Sequence, residues 1–475
     1  MKFKFLLPAI LLALLPLSAS AGLRLPGAMS DGMVLQQQSD ACIWGWAPSG
    51  AEVTLNASWG CTASVKAGAD GTWKAYLATP AAGYETRTIS ISCGGETVTL
   101  KDILVGEVWM ACGQSNMEMP LQGFTNCPVE GAWEQITTAD RWKGKIHYIT
   151  IPITEDAYEP RDDVQAKWQQ LDRQSAPFLS AAAYYFSKML VESLDVPVGI
   201  ICCSRGGSRV ESWLPKDILD GYGEPSDPES IRTYQPGYKR ALTYYNGMLY
   251  PVSRYTVKGF LWYQGESNED VWWQYSARLQ RMVEAWRELF AQGELPFYIV
   301  EVAPFDYGGI HGSRLREQQW KAADSIPGAA AISTNDLVYP DEIHQIHPRN
   351  KKDVGYRLAW LALGKTYGVF STPADYPRFK SLSVDGNRAV VEIDNLRWYG
   401  YNRTSGIEGF ELCGADGIFH PADVAVVNQK LVLTSPDVPN PVHVRYCFHD
   451  FCPGNLASAQ GLPLVPFRTD DYDDR

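Results

Sequence analysis

The sequence predicts an α/β protein: a central parallel sheet with helices on both faces, flanked by β-rich units at its two ends. Three observations predict it. Strand-like and helix-like runs alternate through the middle of the chain, as at 180–203 and 257–302, and such alternation implies a parallel sheet buried on both sides. Short alternating runs cut by turn signals fill residues 23–101 and return after about Phe379. At 475 residues the chain is too long for one compact domain, so two or three are expected.

The elements follow in order. Residues 1–21 carry two lysines, an apolar run and Ala19-Ser20-Ala21, the layout of a secretory signal cleaved before Gly22. The run from Phe5 to Leu17 contains Pro8 and Pro16 and is short for a span of roughly 20 residues, which argues against a membrane helix. Gly22, not cysteine, follows the cut, so no lipid anchor is expected. The mature chain is expected to be exported, periplasmic or extracellular, with no membrane span.

Residues 22–101 read as an N-terminal β-sandwich: turn signals at Pro48-Ser49-Gly50, Asp70-Gly71 and Gly94-Gly95 separate β-branched runs such as 86–91. Residues 102–375 read as the α/β unit, with strands at 103–111, 196–203, 257–263, 296–302 and 329–333. Residues 376–475 return to strands, at 388–393, 430–433 and 442–446.

Charge and cysteine usage exclude several classes of function. A net charge of −12 argues against nucleic acid as a partner, because a phosphate backbone is bound by clustered Lys and Arg. The ten cysteines form no C-x-x-C pair and have no histidines at ligand spacing, so a zinc site is not expected. Cys447 with Cys452 and Cys61 with Cys93 are candidate disulfides for an exported chain, whereas Cys202 and Cys203 fit buried thiols in a strand.

In open α/β sheets, sites form beyond the carboxyl ends of strands, and three loops qualify. Gly113-Gln114-Ser115-Asn116 follows the first strand; its serine is either a nucleophile or a cap for the next segment. Ser204-Arg205-Gly206-Gly207-Ser208 follows the second, with paired glycines that let backbone N–H groups approach a ligand. Gln264-Gly265-Glu266-Ser267-Asn268 follows the third and offers the Gln264 and Asn268 amides as donors, with Glu266 to hold them. A serine hydroxyl needs a proton acceptor near neutral pH, and of seven histidines His344 and His347 lie in a loop beyond a further strand.

Taken together, GQSNM at 113–117, the 206–208 loop with Glu211-Ser212-Trp213, WYQGESN at 262–268, IHPRNKKDVGYRLA at 346–359 and GLPLVPFRTD at 461–470 resemble the sialate O-acetylesterase family of the SGNH hydrolases. The resemblance spans nearly all of the mature chain. It implies an SGNH-hydrolase-like central sheet, Ser115 as nucleophile and His347 as base. Gly207 and the Gln264 amide would join the Ser115 N–H in an oxyanion hole, with Asn268 as a further side-chain donor. The family commonly carries its orienting aspartate three residues before the histidine; here that position is His344, and D-x-x-H is met by Asp341 and His344 instead. The surrounding residues favour His347, with Asp341, Asp336 or a backbone carbonyl as its orienter.

Tryptophan is abundant, but Trp272, Tyr275, Leu279, Met282, Trp286 and Leu289 recur at three- and four-residue steps, as one buried helical face requires. Trp273 falls off that face and is a candidate for sugar contact, while Trp109, Trp213 and Trp262 fit wall or core equally. Arg205 or Arg209 could clamp a sialate carboxylate. The expected partner is an O-acetylated sialic acid or glycan, deacetylated without metal or cofactor. Acetylated xylan or another polysaccharide is the alternative substrate, and a non-catalytic carbohydrate-binding protein is the alternative class. The sequence leaves the oligomeric state open.

Overall fold

The computed structural model describes residues 22–396 and 406–472. The expected signal, residues 1–21, lies outside the described residues. Among those described, no helix is long and apolar enough to cross a membrane.

The longest strand, Glu96–Gly113, organises the molecule. Its first part pairs antiparallel with Gly83–Cys93, from Cys93 opposite Glu96 to Arg87 opposite Ile103. Its second part runs parallel between Val198–Ser204 and Gly259–Tyr263. Every residue at 103–113 is buried, the pattern of a strand covered on both faces. The change of sequence grammar expected after Lys101 therefore falls inside one continuous strand.

The central sheet runs Ala329–Ile332, Phe297–Val300, Gly259–Tyr263, Glu96–Gly113, Val198–Ser204 and Ile146–Thr150, all parallel, and ends on the antiparallel pair Gln169–Gln170. Helices Ala181–Leu194 and Lys352–Lys365 cover one face, where Trp109 packs edge-on against Phe186 and stacks on Tyr298. Helices Tyr275–Phe290 and His311–Ser325 cover the other, where Phe260 and Trp262 meet Trp286. The expected apolar helical face is buried, except that Leu289 is half-covered and Phe290 fills the core beside it. Chain connections leave Glu96–Gly113 in opposite directions, so a crevice opens at its carboxyl end.

At the N-terminal end, Asp40–Trp46 with Thr72–Ala78 forms one layer, and Glu52–Ala57, Thr62–Lys66 and Gly83–Cys93 form the other. Its apolar residues, among them Ile43, Val53 and Ile89, join one core with the central sheet. Beyond Tyr376, two four-stranded antiparallel sheets enclose a separate core around Val391, Leu412, Leu431 and Val444.

Register decides one candidate disulfide. Cys93 lies opposite Val53, while the Cys61 carbonyl accepts from Ala57 N, so the two cysteines sit four residues apart along Glu52–Ala57. That is roughly 13 Å of strand, well beyond the ~7 Å limit between bridged Cα atoms, and Cys61 and Cys93 cannot pair. Cys447 and Cys452 do lie thiol to thiol, both unbonded.

The last unit is fastened to the sheet by buried polar groups. Asn335, just past the strand Ala329–Ile332, donates to the Cys452 and Pro453 carbonyls (2.9 Å each). Arg316 donates to Asn335 Oδ1 (2.8 Å) and to the His449 carbonyl (2.5 Å). Asp450 accepts from Gly309 N and Gly312 N at 2.7 and 2.8 Å, at the start of the helix His311–Ser325. Replacing Asn335 by Ala strands two carbonyls and one guanidinium hydrogen. We expect a loss of about 2–3 kcal/mol, read as a lower Tm in thermal unfolding; an unchanged Tm would show that these bonds do not hold the units together.

Candidate active site

The loops beyond the parallel strands converge at the crevice. Glu96–Gly113 ends on Gly113 at φ +138, where a Cβ would lie 2.1 Å from the Tyr263 carbonyl oxygen, so the residue must be glycine. Gln114 then ties the first loop to the third: its N–H donates to Tyr263 O (2.9 Å), and its Oε1 accepts from Gly265 N (3.1 Å) and Ser267 N (3.4 Å).

Ser115 opens a single helical turn, Ser115–Glu118. A capping serine would stand one residue earlier and accept a backbone N–H. Here the cap position is Gln114, with no side-chain cap bond. Ser115 is half-buried, between buried neighbours, and its hydroxyl makes no hydrogen bond with the described residues. Its N–H, one of the orphan donors at a helix start, has no acceptor among the described residues.

Asn116 is the hub. Its Nδ2 donates to Glu266 Oε1 (2.5 Å) and to the Ile346 carbonyl (2.9 Å), and its Oδ1 accepts from Lys351 Nζ (2.7 Å). One carboxamide thereby joins the serine turn, the QGES loop and the histidine loop. Burial pushes the Glu266 carboxyl up and the Lys351 ammonium down to about 7, each partly offset by the other's charge.

His347 is half-buried, its ring edge-on to Phe124 with centroids 5.3 Å apart. Burial, then the Lys351 charge, lowers its pKa to about 4, so the imidazole is neutral at pH 7. It is not hydrogen-bonded to Ser115, and no carboxylate lies within ion-pair distance among the described residues. Asp341, expected as its orienter, is instead exposed and grips Arg349 through two 3.0 Å bonds. Asp336 likewise takes Arg357 at 2.6 and 2.7 Å. The alternative base, His344, is exposed and faces Asp306 (3.6 Å).

The glycine loop abuts the serine. A Cβ on Gly206 would stand 3.3 Å from Ser115 Cβ, and its N–H donates to Glu118 Oε2. Gly207, at φ +75 beneath the Tyr238 ring, has an N–H with no acceptor among the described residues. The two amides expected as donors to a developing oxyanion are committed elsewhere. Gln264 Nε2 donates to Ser208 O (3.0 Å) and Asn268 Oδ1 (2.9 Å), and Asn268 Nδ2 donates to both Glu211 oxygens. Both side chains are fully buried, so they brace the glycine loop from behind. Arg205 binds Glu155 (2.6 Å), and Arg209 lies 3.3 Å from Glu211. Trp273 is 56% exposed and stands edge-on to Trp272.

Sequence reading passed over Asn116, Lys351 and Phe124. The first two stand inside quoted motifs; what the sequence lacks is the folding that sets a residue next to the serine against a residue four past the histidine. No group of three or more His, Cys, Asp or Glu able to hold a metal ion occurs among the described residues.

A parallel sheet with a serine turn, a glycine loop and a histidine loop at one end is compatible with ester hydrolysis, and the comparisons supply the class. Residues 105–363 match the family described as carbohydrate esterase, sialic acid-specific acetylesterase, and the chain belongs to it. A carbohydrate acetylesterase from Xanthomonas citri of known structure is 31% identical, covers 95% of this chain and 100% of its own, and superposes with a TM-score of 0.85. The sialate O-acetylesterases of Homo sapiens and Mus musculus are 28% and 27% identical over 417 and 443 residues. They cover 80% and 81% of this chain and 78% and 81% of their own. The protein is a carboxylic ester hydrolase.

Because Asp341 points at Arg349 and not at His347, Asp341→Asn should leave kcat/KM on an acetyl ester within about threefold of wild type. A drop of about 10⁴, the scale seen when a true orienting acid is neutralised, would restore Asp341 to the site.

Proposed function

We propose that the protein removes O-acetyl groups from sialic acids by a serine mechanism, with Ser115 as nucleophile and His347 as base. The observation that carries this reading is the Asn116 carboxamide, which fastens the residue after Ser115 to the residue before His347 in a chain of this esterase family.

Ser115 Oγ attacks the acetyl carbonyl while neutral His347 takes its proton. The carbonyl oxygen becomes an oxyanion facing the Ser115 and Gly207 N–H groups, both without acceptors among the described residues; each such donor is worth roughly 3 kcal/mol. The sugar alcohol leaves with the proton from His347. Water, deprotonated by the same imidazole, then attacks the acetyl-serine ester, and acetate departs as Ser115 regains its proton. A base held at about 4 is a weak acceptor, and the negative charge growing on the substrate oxygen strengthens it as the proton moves. Sialic acid is favoured as the sugar because the human and mouse relatives are sialate O-acetylesterases. The leader pattern of residues 1–21 supports export to the periplasm or beyond the cell.

A second reading, a neutral acetylated polysaccharide such as xylan, draws on one specific observation. Both candidate arginines are already matched, Arg205 by Glu155 and Arg209 by Glu211, so neither is an uncommitted clamp for a sialate carboxylate. Acetate release from O-acetylated sialic acid and from acetylated xylan, measured side by side, separates the two. We expect faster release from the sialic acid and a loss of at least about a thousandfold in Ser115→Ala. Preference for xylan would transfer the assignment to the second reading, and release undiminished in Ser115→Ala would sink the serine mechanism under both.

The pH profile tests the base. His347 must be neutral to act, and its pKa is lowered, so kcat/KM should persist through mildly acid pH and fall only as pH drops through about 4. A fall centred near 6.5 would argue against the buried His347 as the base.

A further inference from the structure

With Ser115 and His347 in the roles just proposed, the imidazole lacks the carboxylate that usually orients a catalytic base. The candidate acids are engaged elsewhere: Asp341 by Arg349, Asp336 by Arg357, and Asp306 at His344. What surrounds His347 instead is a clamp on its backbone. The carbonyl before it, Ile346 O, accepts from Asn116 Nδ2 at 2.9 Å. The carbonyl after it, Pro348 O, accepts from Lys351 Nζ at 2.8 Å. Lys351 also donates to Asn116 Oδ1 at 2.7 Å, so both bonds belong to one Lys351–Asn116 unit whose far end rests on Glu266. The ring is closed off by Phe124 and the loop N–H by Gln345 Oε1.

We infer that Lys351 is the positioning residue for His347: its ammonium, acting through Pro348 O and Asn116, holds the imidazole toward Ser115 in place of an acid partner.

A buried ammonium needs such partners to be stable at all. Lys351 is fully buried, and its hydrogens are directed at Asn116 Oδ1, Pro348 O and the face of Tyr263, whose centroid is 5.7 Å away. Charge-assisted bonds of this kind are short and strong in a low-dielectric site, which is what fixing a loop requires. The titratable groups facing the ammonium are Glu266 from the QGES loop, Glu342 from its own loop and the Cys127 thiol. Among the described residues no carboxylate bonds it directly; Glu266 stabilises it through space, across the Asn116 carboxamide that bonds both. The same ammonium lies near enough to His347 to disfavour the imidazolium.

The test is kinetics on Lys351→Met, normalised by titrating active sites with a fluorophosphonate ester that phosphonylates Ser115. A misplacement of the base on the ångström scale costs about a hundredfold, so kcat per titrated site should fall by about that factor with KM within about twofold. The acid limb of kcat/KM should also move to higher pH, because the nearby positive charge is gone. Should Lys351→Met not fold, the charge-balanced pair Lys351→Met/Glu266→Gln takes its place with the same readouts. Wild-type kcat per site would overturn the inference. So would a loss of kcat with an unmoved acid limb, the signature of general damage. If wild-type Ser115 is not phosphonylated, the serine reading itself has failed, and the clamp with it.

Discussion

The carboxamide of Asn116 is the interaction on which the site depends. Its oxygen and its nitrogen join three loops from three distant stretches of chain: the serine turn, the QGES loop and the histidine loop, which it meets on both sides of His347. An amide is suited to this work because it donates and accepts at once, and a carboxylate at the same position would repel Glu266 and lose the bond to Ile346 O. The bonds are buried, where an unmet donor or acceptor is costly, so the loops have one arrangement that satisfies them and few others. The Ser115 hydroxyl and the His347 ring make no hydrogen bond with other described residues inside this frame.

That frame stands on the sheet. The strand Glu96–Gly113 belongs to the N-terminal layer at one end and to the central sheet at the other, so its last residue arrives at the crevice supported along its whole length. Gly113 lets the next turn press on the Tyr263 backbone, and Gln114 closes the gap with three bonds. From the far side, Gln264 and Asn268 hold the glycine loop, and Glu211 is met by Asn268 and Arg278. The C-terminal unit adds a third support through Asn335 and Asp450, which steady the helix and loop that border His344.

The alternation of strands and helices made the α/β core legible, because a parallel sheet buried on both faces demands continuous apolar strands such as 103–111. The helical face from Trp272 to Trp286 was legible for the same reason. Ser115, His347 and Gly207 were legible as candidates in loops at strand ends, and those loops converge in the structure. The partners were not. Asp341 is close to His347 in sequence, yet Arg349 claims it, because two residues on one exposed loop form a bidentate pair more readily than an acid turns inward without a donor waiting. Gln264 and Asn268 look like free donors in a string of letters, and only the fold shows that Ser208, Glu211 and each other use their hydrogens. Lys351 carried no signal of burial, since lysine is usually a surface residue; its place is set by contact with Asn116, 235 residues earlier.

The claim that Ser115 and His347 act together is met most directly by quenching the enzyme during turnover of an acetyl ester and mapping covalent acetyl by peptide mass spectrometry. The account predicts acetyl on the peptide that contains Ser115 in wild type, and none above background in His347→Ala. Acetyl on a different residue, or acetyl-Ser115 formed equally fast without His347, would contradict it.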